Sequence, residues 1–588
     1  MRTKYCGNIK IIDLYKSVVI SGWVNKIRNF GQFIFIDIRD NTGIVQVIFE
    51  RKNLTLFNQA LSLKNESCVQ VTGIVQKRDL NNKNPNLNTG EIEILAQKIN
   101  IFNISQPLPL DYSSNNSDDL KLKYRYLDLR QFNLLENLKI RNKVTYLIRT
   151  FMTKKNFLDI ETPLLTKSTP EGARDYLVPS RNYPGKFYAL PQSPQLFKQL
   201  LMVSGVDKYY QIVKCFRDED LRSDRQPEFT QIDIEASFTN SKNIRKIIEQ
   251  LIKKIWLKIL NYNLNKFPIL SYNQAIHQYG SDKPDLRNPL KIIDIFNIFN
   301  KKKFLEFFKL NLSKKNRIAL LCFPSGEKIS RKKIEQYCSY VNKFGAKKLF
   351  YIKIKKIEIG QEGIQSSINH ILNQAILNKI IKQTNAKNGD ILFIIADIEN
   401  IVNHALGMLR IKLGDDFKIF QKNIWKPLWV INFPMFKKDK IGNFSSVHHP
   451  FTAFKKDHEK KMFNDLDHAM SDSYDLVING YEIGGGSVRI HDFKMQEKIF
   501  NIIGLSKKDQ KEKFGFLIEA FKYGAPPHAG IALGLDRIIM LLRQTNNIRD
   551  VIAFPKTTSG SCLMTSAPSI IKSENLSELG INTTKNKY

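Results

Sequence analysis

Apolar and polar residues alternate in five short runs along roughly the first 105 positions of the chain. A period of two is typical of β-strands with one buried face, and turn residues separate the runs. The runs cover residues 18–26, 32–39, 43–50, 68–77 and 91–99. Five such strands predict a small closed barrel that forms an N-terminal domain of residues 1–106.

The second run indicates which face of this barrel binds a ligand. Ile34, Ile36 and Ile38 share one face and should point into the core, whereas Phe33 and Phe35 lie on the opposite face. Barrels of the OB type use exposed aromatic rings of this kind to stack on unpaired nucleic-acid bases. The polar residues predicted to flank the rings are Arg28, Arg39 and Gln46. The alternative is that both phenylalanines pack beneath a neighbouring loop.

The rest of the chain is predicted to be α+β. Proline and polar residues between 107 and 134 predict a hinge, and a helical pattern follows from about residue 135 to 155. The segment 288–421 contains few motifs and is predicted to be a domain inserted into a larger one. The larger domain would then consist of residues 135–287 and 422–588. The fold class is therefore multidomain α+β.

Runs at 209–219 and 228–238 predict two neighbouring strands joined by a polar loop. Alternation places Asp233 and Glu235 on one face and Ile232 and Ile234 on the other. The other polar residues predicted on the charged face are Gln211, Arg217, Glu219 and Gln231. Such a sheet would pack helices on its apolar face and hold a charged ligand on the other. An arginine there suits phosphate or carboxylate because its guanidinium donates two parallel hydrogen bonds. A solvated sheet face is the alternative.

The stretch from Ser193 to Lys198 predicts the start of a helix, with Ser193 as the N-cap and Pro194 in the first turn. Gln195 and Lys198 are three positions apart, so they share one helix face. This polar face either lines a pocket or is solvated.

An Asn-Gly pair at 479–480, between two apolar runs, predicts a tight β-hairpin. In such a hairpin Asp475 and Glu482 are diagonal neighbours on one face, roughly 7–8 Å apart. Two carboxylates so placed repel each other unless a cation lies between them. We interpret them as ligands of Mg²⁺ bound together with phosphate oxygens, and a structural Lys or Arg partner is the alternative. The glycines that follow at 484–486 would let a ligand approach the backbone.

A glycine-rich apolar strand runs into a helix between Gly530 and Arg537. Arg537 falls in the first helical turn, where its guanidinium and the backbone N–H groups can bind an anion together. A closely packed strand–helix joint is the alternative.

Composition and charge narrow the functional classes. The formal net charge of +35 favours a polyanionic partner such as nucleic acid, although the abundance of Lys, Asn, Ile and Phe also indicates an AT-rich genome. The six cysteines form no C-x-x-C pair, which argues against a zinc ribbon or a disulfide framework. The first residues lack the pattern of a signal peptide, and no apolar run is long enough to cross a membrane. We therefore expect a cytoplasmic protein without a membrane partner.

In this order, the segments resemble the three signature motifs of class II aminoacyl-tRNA synthetases. The matching residues are Phe157, Ile160 and Pro163 for motif 1, Phe216–Glu219, Arg225 and Phe229 for motif 2, and Gly530–Arg537 for motif 3. A preceding OB-type barrel is typical of the aspartyl, asparaginyl and lysyl subgroup. Segments at 169–175, 192–198 and 484–489 resemble the aspartyl enzymes, and those at 280–287 and 554–556, with the insertion, resemble their bacterial form. Asn156 and Ala532 stand where the motifs usually have glycine.

The resemblance implies a class II catalytic domain built on an antiparallel sheet, with an inserted α/β domain. It implies ATP-dependent ligation of L-aspartate to the 3′ end of aspartate tRNA through aspartyl-adenylate, with Mg²⁺ as cofactor. It also implies a homodimer with Pro163 in the interface. Two alternatives are a relaxed enzyme that also charges asparagine tRNA and a tRNA-binding paralogue without activity. Phe30 occupies a position associated with His in relaxed members, which favours the strict form.

Roles for individual residues also follow from the resemblance. Arg217 and Arg537 would be catalytic, and Asp475 and Glu482 would bind the metal. The residues implied for aspartate are Glu171, Gln195, Lys198, Arg217, Asp233, His448 and Arg489. Those implied for ATP are Arg217, Asp218, Glu219, Gln226, Glu482, Gly534, Leu535, Asp536 and Arg537. Those implied for the anticodon are Arg28, Phe35, Gln46, Arg78 and Glu93.

Overall fold

The computed structural model describes residues 1–112, 116–169, 172–298, 315–456 and 465–583 of the 588-residue chain. The chain forms two compact units, residues 1–135 and residues 136–588.

The first unit contains the predicted five-stranded barrel, which is closed in the order β1-β2-β3-β5-β4. Its elements are β1 (Ser17–Asn29), β2 (Phe33–Arg39), β3 (Ile44–Glu50), α1 (Leu54–Leu61), β4 (Cys68–Lys77) and β5 (Ile92–Asn103). The side chains of Ile34, Ile36 and Ile38 are fully buried in the barrel core, as their alternation predicts. The five strands and the inward face of β2 are therefore confirmed.

The predicted hinge contains more helix than its polar composition indicates. It includes α2 (Asp118–Lys123) and α3 (Arg125–Asp128). Ser117 caps α2 by accepting a hydrogen bond from the backbone N–H of Leu120. Acidic residues occupy the first turn of α2 and lysines its last turn, which suits the helix dipole.

The second unit is built on an eight-stranded sheet in the order β11-β17-β20-β21-β22-β10-β9-β6. Its strands are β6 (Leu158–Asp159), β9 (Lys208–Phe216), β10 (Glu228–Ser237), β11 (Ile269–Ser271), β17 (Pro427–Ile431), β20 (Ser473–Ile478), β21 (Tyr481–Val488) and β22 (His528–Gly534). Neighbouring strands are antiparallel except at the two edges, where β11 pairs with β17 and β6 with β9 in parallel. Two small hairpins join β7 (Leu177–Pro179) to β8 (Phe187–Ala189) and β18 (Phe436–Lys438) to β19 (Phe444–Ser446).

Helices cover one face of this sheet, as the alternation in β10 predicts. They are α4 (Phe132–Lys154), α6 (Ser241–Leu260) and α13 (Leu535–Arg543). Ile232 and Ile234 of β10 belong to the same buried cluster as Trp256 and Ile538 from these helices. Asn156 has a φ of 60° just after α4, so asparagine fills a left-handed position that usually favours glycine.

The opposite face of the sheet is partly covered by α5 (Gln195–Val203). Leu196 of α5 packs in one cluster with Phe500 and Phe514, which belong to α11 (Phe493–Ile502) and α12 (Lys507–Phe521). The remaining helices are α7 (Tyr272–Tyr279) and the C-terminal α14 (Ser573–Glu578). None of the helices in the described residues combines the length and apolarity that a membrane span requires.

A separate five-stranded sheet lies within the predicted insertion, in the order β12-β13-β16-β14-β15. Its strands are β12 (Ile292–Asp294), β13 (Asn316–Phe323), β14 (Phe350–Ile354), β15 (Ile364–Ser366) and β16 (Ile391–Ile398). Its helices are α8 (Arg331–Asn342), α9 (Gln374–Thr384) and α10 (Glu399–Asp416). Two hydrophobic clusters form on this sheet, one with α8 and α10 and the other with α9.

Candidate active site

The uncovered part of the eight-stranded sheet has a floor of small residues between charged side chains. One row across the strands runs through Gln211, Asp233, Ala532, Gly485 and Asp475. Residues in register across neighbouring strands point to the same face of a sheet. The strand pairing therefore places the carboxylates of Asp233 and Asp475 on either side of Ala532 and Gly485, where a ligand can lie against the backbone.

The adjacent row depends on a glycine. Gly530 pairs with Glu235 on one side and with Ser487 on the other. A Cβ atom at Gly530 would lie 2.0 Å from Oε2 of Glu235 and 2.2 Å from the carbonyl oxygen of Ile234. Only glycine therefore lets the Glu235 carboxylate lie flat across the neighbouring strand.

Two buried cations share the carboxylates of β10. Nζ of Lys198, on α5, lies 2.7 Å from Oδ1 of Asp233 and 3.2 Å from Oε2 of Glu235. Arg489 donates from Nε and Nη2 to both oxygens of Glu235, at 3.0 and 3.1 Å. All four side chains are at most 2% exposed. The polar faces of α5 and β10 are therefore buried against each other and are not solvated, and we take the space that they border as the candidate ligand pocket.

The pocket environment acts differently on its two carboxylates. Burial raises the pKa of Asp233 above its ordinary value in spite of Lys198. Burial also acts to raise the pKa of Glu235, but the charges of Arg489 and Lys198 outweigh it and lower that pKa. Oδ2 of Asp233 is buried and accepts no hydrogen bond from the described residues. Within the described part of the cluster, this atom is available as an acceptor.

Two histidines approach Arg489. His448 was predicted at the pocket, and its ring packs edge-on against Phe433, with centroids 4.6 Å apart. Its Nε2 atom is buried and has no partner among the described residues. Burial and the charge of Arg489 lower the pKa of His448 to about 4, so the ring is neutral at pH 7. His449, which the sequence reasoning missed, contacts Nη1 of Arg489 through its Nε2 atom.

The two carboxylates of the β20–β21 hairpin face one point. Asn479 and Gly480 both have positive φ, as the predicted tight turn requires. Val477 pairs with Glu482 as predicted, but a bulge follows, so that Asp475 lies opposite Gly485. A Cβ atom at Gly485 would lie 3.0 Å from Oδ1 of Asp475 and 3.8 Å from Oε1 of Glu482. Gly485 therefore opens onto the space between the carboxylates.

The surroundings of Asp475 oppose the charged form of its carboxyl group. Burial, together with the charges of Glu482 and Asp282, raises its pKa well above the ordinary value. Its Oδ1 atom is buried without a hydrogen-bond partner among the described residues. No Lys or Arg among the described residues forms an ion pair with this carboxylate, although the charge of Lys283 acts to lower its pKa.

The other two glycines of the run have a structural explanation. A Cβ atom at Gly484 would lie 2.4 Å from the carbonyl oxygen of Ala532, and one at Gly486 would lie 2.4 Å from that of Gly530. Both positions must therefore be glycine for β21 to lie against β22. The expectation that all three glycines admit a ligand holds only for Gly485.

Arg537 lies in the first turn of α13, as predicted. It donates from Nη1 to the carbonyl oxygen of Glu482 at 2.8 Å and from Nη2 to Oδ2 of Asp224 at 3.1 Å. The loop between β9 and β10 contributes Asp224, which sequence reasoning missed because loop residues follow no periodicity. The same loop holds Arg225 and Glu219 as an ion pair at 3.1 Å.

Arg217 is positioned by an aromatic ring. Its guanidinium carbon lies 5.1 Å from the centroid of Phe229, and its backbone N–H donates to the carbonyl oxygen of Pro227. No carboxylate among the described residues forms an ion pair with it. The guanidinium is held over the ring with its donors available for an anion. Asp218, further along the loop, lies 3.8 Å from Nε of Arg174.

The side chains of three residues predicted to contact ATP are directed elsewhere. Both ends of the Gln226 amide pair with the backbone of Lys556. Asp536 accepts hydrogen bonds from Arg141 and from the backbone N–H of Thr230, and Leu535 is buried in the core. These three side chains are thus engaged in packing or pairing within the chain, and the ATP contacts implied for the three residues stay predictions.

Of two further predicted residues, the structure describes Gly534, implied for ATP, but not Glu171, implied for aspartate. Gly534 immediately precedes α13, and a Cβ atom there would make only ordinary contacts. Glu171 lies outside the described residues.

A comparison with known families agrees with this geometry. Residues 117–558 match the family described as tRNA synthetases class II (D, K and N), and residues 18–102 match the OB-fold nucleic acid binding domain. The chain belongs to the class II tRNA synthetases.

Curated relatives of this synthetase align over their whole length. A protein of Buchnera aphidicola subsp. Schizaphis graminum named aspartate–tRNA ligase is 70% identical over 585 residues, with 100% of each chain covered. One of the same name from Haemophilus ducreyi is 54% identical over 584 residues, with 99% of each covered.

Solved synthetase structures share the fold at low identity. Asparaginyl-tRNA synthetase from Pyrococcus horikoshii, complexed with asparaginyl-adenylate, is 19% identical with a TM-score of 0.58, covering 94% of this chain and 98% of that one. Aspartyl tRNA synthetase from Entamoeba histolytica is 19% identical with a TM-score of 0.55, covering 93% and 89%.

The motif 1 segment of this synthetase presents an apolar surface. It includes β6 at the edge of the sheet, and Pro163 just beyond it is exposed. The neighbouring side chains of Leu158, Leu164 and Leu165 are 56%, 44% and 54% exposed. Leucines exposed to this degree in one segment indicate a surface for a protein partner.

The barrel has an aromatic platform on the outward face of β2. The ring of Phe35 packs against those of Phe30 and Phe33, at centroid distances of 5.7 and 6.3 Å. Phe30 and Phe33 are exposed, so the predicted alternative of burial beneath a loop is wrong for Phe33. Phe30 was not among the residues predicted to contact the anticodon.

Polar side chains beside the platform form one network. Arg28 donates to Asp37 and to Gln46, and Gln46 donates to Oε2 of Glu93 at 2.7 Å. Burial raises the pKa of Glu93. Nε of Arg78 lies 3.9 Å from the same carboxylate. Four predicted polar residues are thus brought together.

Arg39 does not flank the platform as predicted. It binds Glu66 with both Nη2 contacts shorter than 3.0 Å, at 2.9 and 2.8 Å, and it donates to Asn25. Glu66 also accepts from Arg130, so Arg39 has a structural role within the first unit.

Proposed function

We propose that the chain ligates L-aspartate to the 3′ end of aspartate tRNA through aspartyl-adenylate. The observation that carries this proposal is the buried pair of cations, Lys198 and Arg489, at the floor of the pocket. They suit the side-chain carboxylate of aspartate, while the free Oδ2 atom of Asp233 suits its ammonium group. The names of the full-length relatives support the same substrate.

In the first step, the α-carboxylate of aspartate attacks the α-phosphorus of ATP and pyrophosphate leaves. Reactions of this kind depend on positioning and charge neutralisation more than on a protein nucleophile. Arg217 would bind the α-phosphate and the attacking carboxylate, since it forms no ion pair within the described part of the chain and lies over the ring of Phe229. Arg537 would bind the γ-phosphate, which takes the place of Asp224 on Nη2.

In the second step, the terminal 3′-hydroxyl of the tRNA attacks the activated carbonyl carbon. The aspartyl ester forms, AMP leaves, and the hydroxyl proton is released. Arg217 would again stabilise the negative charge that develops on the phosphate.

Discrimination against asparagine would rest on charge, because the two amino acids have nearly the same shape. An amide in the pocket would leave Lys198 and Arg489 facing a neutral group at a buried position. Sites built around a polar partner reject an analogue that lacks it by ~10⁴–10⁵-fold. We infer that no separate editing site is needed.

Asp475 and Glu482 fit a divalent cation. Both present carboxylate oxygens, which Mg²⁺ prefers, towards the open space above Gly485. The unpartnered Oδ1 atom and raised pKa of Asp475 are those of a buried carboxylate whose negative neighbours, Glu482 and Asp282, outweigh the charge of Lys283. Mg²⁺ held there through these oxygens would neutralise charge on the phosphates of ATP.

Asp475→Asn is expected to raise the Mg²⁺ concentration needed for half-maximal ATP–pyrophosphate exchange by about 10-fold or more, because one anionic ligand is lost. The measurement is exchange rate against Mg²⁺ concentration at saturating ATP. Asp472→Asn is the matched control, since Asp472 is a mostly buried carboxylate whose partners are Ser241 and Arg245. An unchanged Mg²⁺ dependence in Asp475→Asn would contradict the assignment.

We also propose that the enzyme is a homodimer and that its barrel reads the anticodon. The exposed leucines beside Pro163 support a second copy of the chain as the partner.

In the barrel, Phe35 would stack on an unpaired base, while Arg28, Gln46, Arg78 and Glu93 would bind base edges. The place of action would be the cytoplasm, where translation consumes charged tRNA.

Phe35→Ala is expected to weaken binding of aspartate tRNA by about 10-fold, because loss of one stacked base removes ~1–3 kcal/mol. Filter binding with labelled transcript measures the effect, and ATP–pyrophosphate exchange, which involves no tRNA, reports on folding. Phe102→Ala is the matched control, since Phe102 is an exposed phenylalanine in β5, outside the platform. Equal affinities for the wild type and Phe35→Ala would rule out stacking.

The direct test of amino-acid activation is ATP–pyrophosphate exchange with aspartate or asparagine as the only amino acid. We expect exchange with aspartate and at least ~10⁴-fold lower kcat/KM with asparagine. Comparable exchange with both amino acids, or with asparagine alone, would overturn the proposal.

A further inference from the structure

A chain of buried hydrogen bonds leads from the backbone to Gln195, one of the residues implied for aspartate. His528, at the start of β22, has its Nδ1 atom 2.7 Å from the carbonyl oxygen of Pro526. Its Nε2 atom lies 3.0 Å from Nε2 of Gln199. Oε1 of Gln199 in turn accepts from Nε2 of Gln195 at 3.1 Å. His528 and Gln199 are fully buried, and Gln195 is 6% exposed.

The hydrogen bond from His528 to the Pro526 carbonyl oxygen fixes the donor and the acceptor in every other bond of the chain. A carbonyl oxygen only accepts hydrogen bonds, so Nδ1 of His528 must carry the proton. Burial lowers the pKa of His528, although Glu235 and the Pro526 carbonyl act against this, so the ring is neutral at pH 7. A neutral ring protonated on Nδ1 has an acceptor at Nε2.

The acceptor at Nε2 then fixes both amides. Gln199 must present its NH₂ group to His528, which turns its oxygen towards Gln195. Gln195 must therefore present its own NH₂ group to Gln199. Its Oε1 atom remains as an acceptor, and it has no hydrogen bond from any side chain or backbone group that the structure describes. The opposite orientation of Gln195 would offer a donor to the pocket.

We propose that His528 and Gln199 are positioning residues that hold the Gln195 oxygen towards the ammonium group of the amino-acid substrate. The inference rests on the proposed function, because it takes aspartate as the ligand and Gln195 as one of its contacts. Neither positioning residue touches the substrate. Their effect on the substrate should be confined to the ammonium group, because Lys198 and Arg489, the proposed ligands of the side-chain carboxylate, are held by Asp233 and Glu235 instead.

Because the effect is confined to the ammonium group, an analogue without that group distinguishes it from general damage to the pocket. Succinate is aspartate without its amino group, so it can occupy the carboxylate subsites but makes no ammonium contact. The experiment measures the KM for aspartate in ATP–pyrophosphate exchange and the inhibition constant of succinate in the same assay. The variants are His528→Phe and Gln199→Met, each of which removes one link of the chain.

We expect the KM for aspartate to rise by about 10-fold in each variant, as when a hydrogen bond to a charged group is lost. The inhibition constant of succinate should change by less than about 2-fold, because no contact of succinate depends on Gln195. Ser237→Ala is the matched control, since Ser237 pairs with His528 in the sheet and its hydroxyl donates to Met202. The control should retain the wild-type ratio of the two constants.

Two results would overturn the inference. A parallel rise of both constants would show that the residues only support the fold, and unchanged constants would show that Gln195 needs no positioning. Gln199→Met provides the test if His528→Phe does not fold. Failure of the proposed function is distinct, because the wild-type protein would then show no aspartate-dependent exchange.

Discussion

Arg489→Leu is expected to reduce kcat/KM for aspartate in ATP–pyrophosphate exchange by about 10⁴-fold. A loss of this size is typical when the buried polar partner of a ligand is missing. The substrate carboxylate would face Lys198 alone, and that lysine already pairs with Asp233 and Glu235. Glu235 would also lose both of its contacts with Arg489. ATP binding, measured separately by equilibrium dialysis, should remain close to that of the wild type.

Arg489→Lys is the matched variant for this prediction. It keeps the positive charge but cannot form the two-point contact with Glu235, so its activity should lie between those of the wild type and Arg489→Leu. A thermal unfolding curve for each variant separates loss of binding from loss of fold. Near-normal exchange in folded Arg489→Leu would contradict the assignment of Arg489 to aspartate.

Arg217→Met should lower kcat of exchange by about 10³-fold, the usual effect of removing a group that stabilises developing charge. The fold should tolerate this change, because the Arg217 side chain contacts the ring of Phe229 and forms no ion pair among the described residues. Pre-steady-state measurement of aspartyl-adenylate formation reports directly on this step.

Arg222→Met is the matched control for Arg217→Met. Arg222 lies in the same loop, but its side chain is exposed and has no role in the proposed site. Its substitution should have a much smaller effect on kcat of exchange than Arg217→Met. A decrease in kcat of less than 10-fold in Arg217→Met would show that Arg217 does not stabilise the charge that develops in the reaction.

The barrel and the central strands could be predicted because alternation records burial directly. Ile34, Ile36 and Ile38 point inward in β2, and Ile232 and Ile234 do so in β10. Period-two patterns survive in any strand that has one buried face. The left-handed turn at Asn479 and Gly480 was likewise predictable, because few other residue pairs adopt that geometry.

Other features of the site depend on contacts between distant segments. Gln226 was among the residues implied for ATP, and its amide pairs with the backbone of Lys556, which is far away in sequence. Asp536 similarly joins Arg141 and Thr230. His449 reaches Arg489 because the segment that carries it pairs with the chain at Arg489. No local pattern carries such information, since these contacts are created by the tertiary fold.

The bulge in β21 shows that the sequence can predict which side chains share a site without predicting the register of the strands. Asp475 and Glu482 were predicted as neighbours in a regular hairpin. The bulge instead shifts Asp475 opposite Gly485, and both carboxylates still face the same space. Bulges are common beside active sites, where they redirect side chains, but their position is not encoded in a simple alternation.

Aminoacylation with labelled aspartate, using transcripts of aspartate tRNA and asparagine tRNA, tests the central claim most directly. We predict that aspartate tRNA is charged and that asparagine tRNA is not. Charging of both would contradict strict specificity and indicate a relaxed enzyme. Charging of neither transcript, by protein that still binds ATP, would contradict the ligase function itself.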